Sequence, residues 1–264
     1  MSTMNQGNLN AMKQGHLNLV GLGPGNMENM TFGALKVINE AEVIAGYGVY
    51  IDLIRDYIDG KKVIETGMGG EIARTKAALI EAGSGKIVSL VCSGDASLYG
   101  LAGLAYELNS QLGLNIPIKV FPGITAASSC NSILGAPIVE DFCTISLSDY
   151  MTPWEKIEMR LELAAKADFV IAFYNPRSKA RPDRLEIALK IIRKSASAKT
   201  PVGVVRNAYR EDQSSWISTL EDFDCEKVDM FCTVIVGNSN TKVIDGKMVT
   251  SRGYKIDSDT RRNV

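Results

Sequence analysis

The sequence predicts an α/β protein made of two α/β domains, and three observations carry that expectation. Short β-type runs alternate with helix-period patterns along most of the chain, which implies parallel βαβ architecture. A run such as Ile87–Val91 is apolar throughout, as a buried strand is, and stops abruptly at a small, acidic turn. Pro122-Gly123 then breaks the series midway and separates two groups of elements.

The elements follow in order. A strand over His16–Gly21 leads to a helix over Thr31–Ala41, with Leu35 and Ile38 on one face. A strand over Glu42–Ala45, a helix over Val49–Tyr57, a strand over Lys62–Glu65 and a helix over Glu71–Glu81 come next. The Ile87 strand, a helix over Leu98–Asn109 and a strand over Ile118–Phe121 complete the first group. A helix over Ile124–Ile133 opens the second. Its strands are expected at Phe142–Leu147, Phe169–Phe173, Val202–Arg206, Trp216–Thr219 and Phe231–Val236. Its helices lie over Pro153–Ala165, with proline at the start, and Arg184–Ser195. Lys242–Val249 reads as a hairpin on the Asp245-Gly246 turn. These elements give an N-terminal domain over 16–122 and a C-terminal domain over 123–251. An unstructured extension over 1–15 precedes them, with no apolar core of a signal peptide, and a polar tail over 252–264 follows.

Composition narrows the function. A chain of 264 residues buries about 70–75% of its unfolded surface, so it needs no disulfide or metal to fold. The net charge of −1 argues against a nucleic-acid partner held by bulk electrostatics. No apolar run reaches the roughly 18 residues of a membrane span. Cys92, Cys130, Cys143, Cys225 and Cys232 form no C-x-x-C pair and mostly sit in apolar runs, as reduced core residues of a cytoplasmic protein do. His16 is the only histidine, which excludes Ser-His-Asp triads, histidine bases and His-rich metal sites. Acid–base chemistry must then fall to carboxylates, tyrosines, lysines, backbone or water, and no protein-borne metal site is expected.

Ligands of α/β proteins sit at the carboxyl ends of strands, so the turns there are the candidate site. Val91-Cys92-Ser93-Gly94-Asp95-Ala96 is the most informative: Gly94 permits close approach to the main chain, and Asp95 offers a carboxylate. The same residues also suit a plain strand-to-helix connection capped by Ser93 or Asp95. Gly21-Leu22-Gly23-Pro24-Gly25 invites a dinucleotide reading, but the third glycine of G-x-G-x-x-G falls on Asn26 and Pro24 removes an amide. A rigid glycine-lined loop against which a flat ligand lies fits better. In Pro122-Gly123-Ile124-Thr125-Ala126-Ala127, Thr125 suits a helix cap and the alanines leave room for a planar group. Asn175, in Tyr174-Asn175-Pro176, suits a heterocycle edge or an Asn-Pro turn. Arg177, Lys179, Arg181 and Arg184 crowd one segment after a strand end. Such a run is either a solvated helix entrance or, with Arg206 and Arg210, a wall that binds carboxylates.

With these loops in order, the chain resembles the tetrapyrrole methylase family, the S-adenosylmethionine-dependent enzymes of corrin and sirohaem synthesis. The resemblance spans roughly His16–Val249 and rests on Gly21–Gly25, Ser93-Gly94-Asp95 and Pro122–Ala127. Gly46-Tyr47-Gly48-Val49-Tyr50, the Tyr174–Arg181 segment and Val205–Arg210 narrow it to the ring-contracting branch that methylates C17 of precorrin-3B or cobalt-factor III. The resemblance implies a tetrapyrrole substrate, a homodimer, and S-adenosylmethionine held in a cleft between the two domains. It implies that Pro24 borders the cofactor and that Ser93, Gly94, Asp95 and Leu98 hold its methionyl part and ribose. Thr125 and Ala126 would lie beside the sugar and base, with Asn175 and Ala208 in the adenine pocket. Arg177, Lys179, Arg181, Arg206 and Arg210 would grip the substrate's carboxylates. Some relatives carry an aspartate where this chain has Tyr47, which points to Tyr47 as the proton donor or acceptor near the macrocycle. Methylation of another tetrapyrrole carbon, and cofactor binding without catalysis, are the alternatives.

Overall fold

The computed structural model describes residues 15–255, and the chain divides between Thr125 and Ala126 into two compact units. The expected extension over 1–15 and the end of the polar tail lie outside the described residues, except that Gly15 is buried. A Cβ on Gly15 would lie 2.7 Å from the Lys86 amide, so ordered packing already begins there.

The first unit runs β1 (His16–Gly21), α1 (Phe32–Glu40), β2 (Val43–Tyr47), α2 (Gly48–Asp52) and β3 (Lys62–Thr66). It continues with α3 (Glu71–Gly83), β4 (Ile87–Cys92), α4 (Ala102–Gln111) and β5 (Ile118–Phe121). Its sheet has the order β3-β2-β4-β1-β5, and every pairing is parallel. Parallel strands need covered faces, and both are covered. Leu17, Leu19, Val88 and Leu90 pack under Ala78, Leu79, Ala102 and Ala105 of α3 and α4. Val20, Ile44 and Val91 pack under Ala34, Val37, Ile38 and Ile51 of α1 and α2. Thr31 caps α1, its Oγ1 accepting from the Ala34 amide at 3.1 Å.

Two helices depart most from their predicted ranges. The one expected over Leu98–Asn109 begins only at Ala102, because Asp95 closes a tight turn onto Ser97 and Leu98 and Tyr99 takes a φ of 55°. The one expected over Val49–Tyr57 breaks after Asp52, and a 3-10 turn follows over Arg55–Tyr57.

The second unit runs α5 (Ala126–Leu134), β6 (Gly135–Ala136), β7 (Phe142–Ser146), α6 (Trp154–Lys166), β8 (Val170–Tyr174) and α7 (Arg184–Ile192). Strands β9 (Pro201–Arg206), β10 (Ser214–Thr219), β11 (Cys232–Val236), β12 (Thr241–Ile244) and β13 (Lys247–Thr250) complete it. The main sheet has the order β10-β9-β11-β8-β7, and only β7 and β8 are parallel. The expectation of parallel architecture throughout therefore fails here. The loop from Arg206 to Ser214 is too short for a parallel crossover, which needs about a dozen residues, so β9 and β10 form a hairpin. Ile157, Leu161, Leu185 and Leu189 of α6 and α7 cover one face against Ile171, Phe173, Val204 and Val234. Ala127, Cys130 and Leu134 of α5, with Met248, cover the other. Asp245 and Gly246 both have positive φ, as a type I′ hairpin turn requires. The two-residue β6, paired parallel to β13, has too little sequence to carry a strand pattern.

Candidate functional site

In the first unit, β1 connects through α1 to β2, on the far side of β4, whereas β4 connects through α4 to β5, on the far side of β1. Adjacent strands whose connections leave in opposite directions open a crevice at their carboxyl ends. The loops after β1, β4 and β5 fill that edge and pack backbone to backbone. Gly23 and Gly94 exchange amide bonds of 3.0 and 2.7 Å. A Cβ on Gly21 would lie 2.6 Å from both the Gly123 nitrogen and the Gly94 oxygen, and one on Gly123 would lie 2.7 Å from the Gly21 carbonyl carbon. Gly21 and Gly123 are thus dictated by protein packing rather than by the close approach of a flat ligand.

Asp95 braces the same loops. Its Oδ1 accepts from the Ser97 amide at 2.8 Å, the Ser97 hydroxyl at 2.5 Å and the Leu98 amide at 3.2 Å, and its Oδ2 accepts from the Gly123 amide at 3.0 Å. Burial by itself raises the Asp95 carboxyl, but the bonds from Ser97, Gly123 and Leu98 outweigh it and hold the group below its ordinary value. The predicted cofactor carboxylate is therefore already committed to four protein donors. Beside it Ser93 and Thr125 are half-buried, Pro24 is buried and Leu98 is exposed.

Further along this edge, the ends of β2 and β3 frame a concavity lined by Tyr47, Gly48, Asp52, Glu65 and Thr66. Tyr47 meets Tyr50 edge-on, ring centroids 5.2 Å apart. Arg55 ties the two carboxylates, donating to Asp52 at 2.6 Å and Glu65 at 3.3 Å. A Cβ on Gly48 would lie 2.5 Å from Glu65 Oε1, so glycine there makes room for that carboxylate. Beneath Tyr47 lies Arg74, which sequence reasoning missed. Its signal was legible: Arg74 falls on the stripe of α3 that buries Thr75, Ala78, Leu79 and Ala82.

In the second unit the candidate residues follow β8 and β9. Asn175, at a φ of 50°, is exposed, and its Nδ2 donates to Ser146 Oγ at 3.0 Å. Asn207 and Tyr209 also take positive φ, and the Tyr209 hydroxyl lies 2.8 Å from Ser132 Oγ. Ala126 and Ala208 are half-buried. The Ala127 amide donates to the Tyr174 hydroxyl at 3.0 Å, so a tyrosine from β8 completes the start of α5.

In the basic run, Arg177, Arg181 and Arg184 are paired with protein acids. Arg177 donates to both Glu226 oxygens at 2.7 and 2.6 Å and to the Pro182 carbonyl at 3.0 Å. Arg181 reaches Ser148 at 2.9 Å and Asp149 at 3.5 Å, and Arg184 reaches Asp149 at 2.7 Å. Arg206 pairs with Asp229 at 3.1 Å, which raises the guanidinium pKa. For Asp149, burial raises the carboxyl, but Arg184, a backbone amide and Arg181 together outweigh it, so its pKa is lowered. Lys179 is exposed. Sequence displayed the cations; the acids that meet Arg177, Arg181 and Arg206 come from other loops.

Residues 16–224 match the family model described as Tetrapyrrole (Corrin/Porphyrin) Methylases. The chain belongs to this family. Among tetrapyrrole methylases it is 48% identical over 240 residues to a probable cobalt-factor III C(17)-methyltransferase of Salmonella typhimurium, covering 91% of this chain and all of that one. It is 36% identical to a precorrin-3B C(17)-methyltransferase of a Sinorhizobium species, covering 88% and 92%. A cobalt-factor III methyltransferase of Priestia megaterium is 44% identical over 92% of this chain, which spans only 46% of that longer protein. In three dimensions it is similar to the crystal structure of the methyltransferase CobJ, with a TM-score of 0.86, 34% identity, and coverage of 90% and 100%.

Proposed function

We propose that this tetrapyrrole methylase transfers a methyl group from S-adenosylmethionine to C17 of cobalt-factor III or precorrin-3B, with ring contraction, in cobalamin biosynthesis. The observation that carries the reading is the switch in strand order at β1 and β4, whose carboxyl ends bear the same glycine loops and Ser-Gly-Asp turn on which the family resemblance rests. The full-length likeness to C17-methyltransferases selects the acceptor carbon.

The residues suit the cofactor. Bound S-adenosylmethionine supplies a methyl on a positively charged sulfur. A carboxylate saturated by four donors, as Asp95 is, makes a poor competing nucleophile toward that methyl. Asp95 thus shapes the loop, while Pro24, Ser93, Gly94, Leu98, Thr125 and Ala126 contact the cofactor. Asn175, whose Oδ1 remains available, and Ala208 take the adenine.

The acceptor macrocycle is an acidic, electron-rich ring that needs orientation more than activation, with the reacting carbon held about 3–3.5 Å from the methyl. Arg177, Lys179, Arg181, Arg206 and Arg210 meet its carboxylates, with Arg177, Arg181 and Arg206 exchanging their protein acids for substrate ones. Tyr47 takes the proton from the hydroxyl on C20 as methylation at C17 drives ring contraction, and that oxygen stays on its carbon as the carbonyl of the acetyl group left on C1. The enzyme works as a homodimer in the cytoplasm. All five cysteines are unpaired, and burial pushes the thiols of Cys92 and Cys232 up to about 11. No helix among the described residues is long and apolar enough to cross a membrane.

The test is anaerobic incubation with S-adenosylmethionine and either cobalt-factor III or precorrin-3B. S-adenosylhomocysteine formation and a shifted corrinoid spectrum are expected with one of them. Cofactor binding without turnover on either would overturn the catalytic reading.

A further inference from the structure

Arg74 is the one charged side chain among the described residues that is buried, at 4% exposure. Its Nη1 donates to Thr66 Oγ1 at 2.5 Å and to the Gly67 carbonyl at 3.3 Å, and its Nη2 reaches Glu71 at 3.2 Å. Its Nε is buried without an acceptor. The guanidinium carbon lies over the Tyr47 ring, 6.0 Å from the centroid.

Stability alone does not account for this residue. A buried cation is costly, and its single carboxylate partner, Glu71, is itself 42% exposed. An apolar residue here would extend the buried stripe of α3 with no charge to desolvate. What the arginine does achieve is local order. It grips the Thr66–Gly67 turn and lies against Tyr47, so two walls of the concavity at the ends of β2 and β3 are tied to one rigid, planar group. Gly70 serves the same arrangement: a Cβ there would lie 2.7 Å from Thr66 Oγ1.

We infer that Arg74 is a positioning residue that acts through Tyr47 and Thr66 to fix the wall against which the acidic macrocycle is held. The inference rests on the assignment of Tyr47 proposed above. It is separable from that assignment by a double-mutant cycle of Arg74→Leu and Tyr47→Phe, assayed with S-adenosylmethionine and cobalt-factor III or precorrin-3B, whichever is turned over.

Arg74→Leu is expected to fold, with a Tm at or above that of the unaltered chain, and to bind S-adenosylhomocysteine within about twofold. Its kcat should fall about tenfold, and the double variant should be no slower than the slower single one. Arg74→Lys, which keeps the charge but not the planar fork, should recover only part of the loss. Tyr47→Phe with unchanged kcat overturns the assignment of Tyr47. A slowed Tyr47→Phe whose loss multiplies with that of Arg74→Leu overturns the inference about Arg74 alone. Should Arg74→Leu fail to fold, Thr66→Val decides: a kcat equal to that of the unaltered chain refutes a positioning role, and a fall of the same kind supports it.

Discussion

Replacing Asp95 by alanine separates bracing from ligand contact. Three of the bonds that Asp95 accepts come from its own turn, where Ser97 and Leu98 are exposed and water can replace the carboxylate. Losing them resembles losing a helix cap, about 1 kcal/mol. The fourth bond joins two loops, and its loss leaves the partly buried Gly123 amide without an acceptor, at about another 1 kcal/mol. A loss of about 2 kcal/mol lowers the Tm of a chain this size by about 4–8 °C. Differential scanning calorimetry, with urea titration to check an unchanged m-value, measures it.

The pH dependence has a fixed sign, because the folded-state pKa of Asp95 is lowered. Its contribution is fully present above the unfolded pKa of about 3.9 and is lost as pH falls through the lower folded value. The stability gap to Asp95→Ala should hold steady from neutral pH to about 5 and close below about 4. An unaltered Tm together with a large loss of S-adenosylhomocysteine affinity would refute the bracing argument and return Asp95 to the ligand.

Gly123→Ala should destabilise by about 3 kcal/mol, since the added Cβ meets main chain of Gly21 and Gly94 that has nowhere to move; thermal melting checks this, and an unchanged Tm would show the loops to be loosely packed. Asn175→Gly preserves the left-handed backbone, whereas Asn175→Ala adds about 1 kcal/mol of strain. Calorimetric titration with S-adenosylhomocysteine should show equal weakening in both variants if the amide contacts the ligand; weakening in the alanine variant alone would assign the effect to the backbone.

The sequence by itself determined the strand and helix succession apart from the two-residue β6, because buried parallel strands leave unbroken apolar runs such as Ile87–Val91 and Asp-Gly fixes the Asp245 turn. It also placed the candidate loops at strand ends. Strand direction in the second sheet was legible only in part: Asn207–Gln213 is visibly too short for a parallel crossover, whereas the antiparallel pairing of β11 with β8 and β9 was decided by tertiary structure. Which acid meets which arginine, which carboxylate is saturated and which glycine faces another loop were likewise decided only by tertiary structure. Each such contact joins residues distant in the chain: Asp95 and Gly123, Arg177 and Glu226, Gly21 and Gly94. Arg74 stands between the two cases, visible in sequence as a charge on an apolar stripe but given a purpose only by the Tyr47 ring above it.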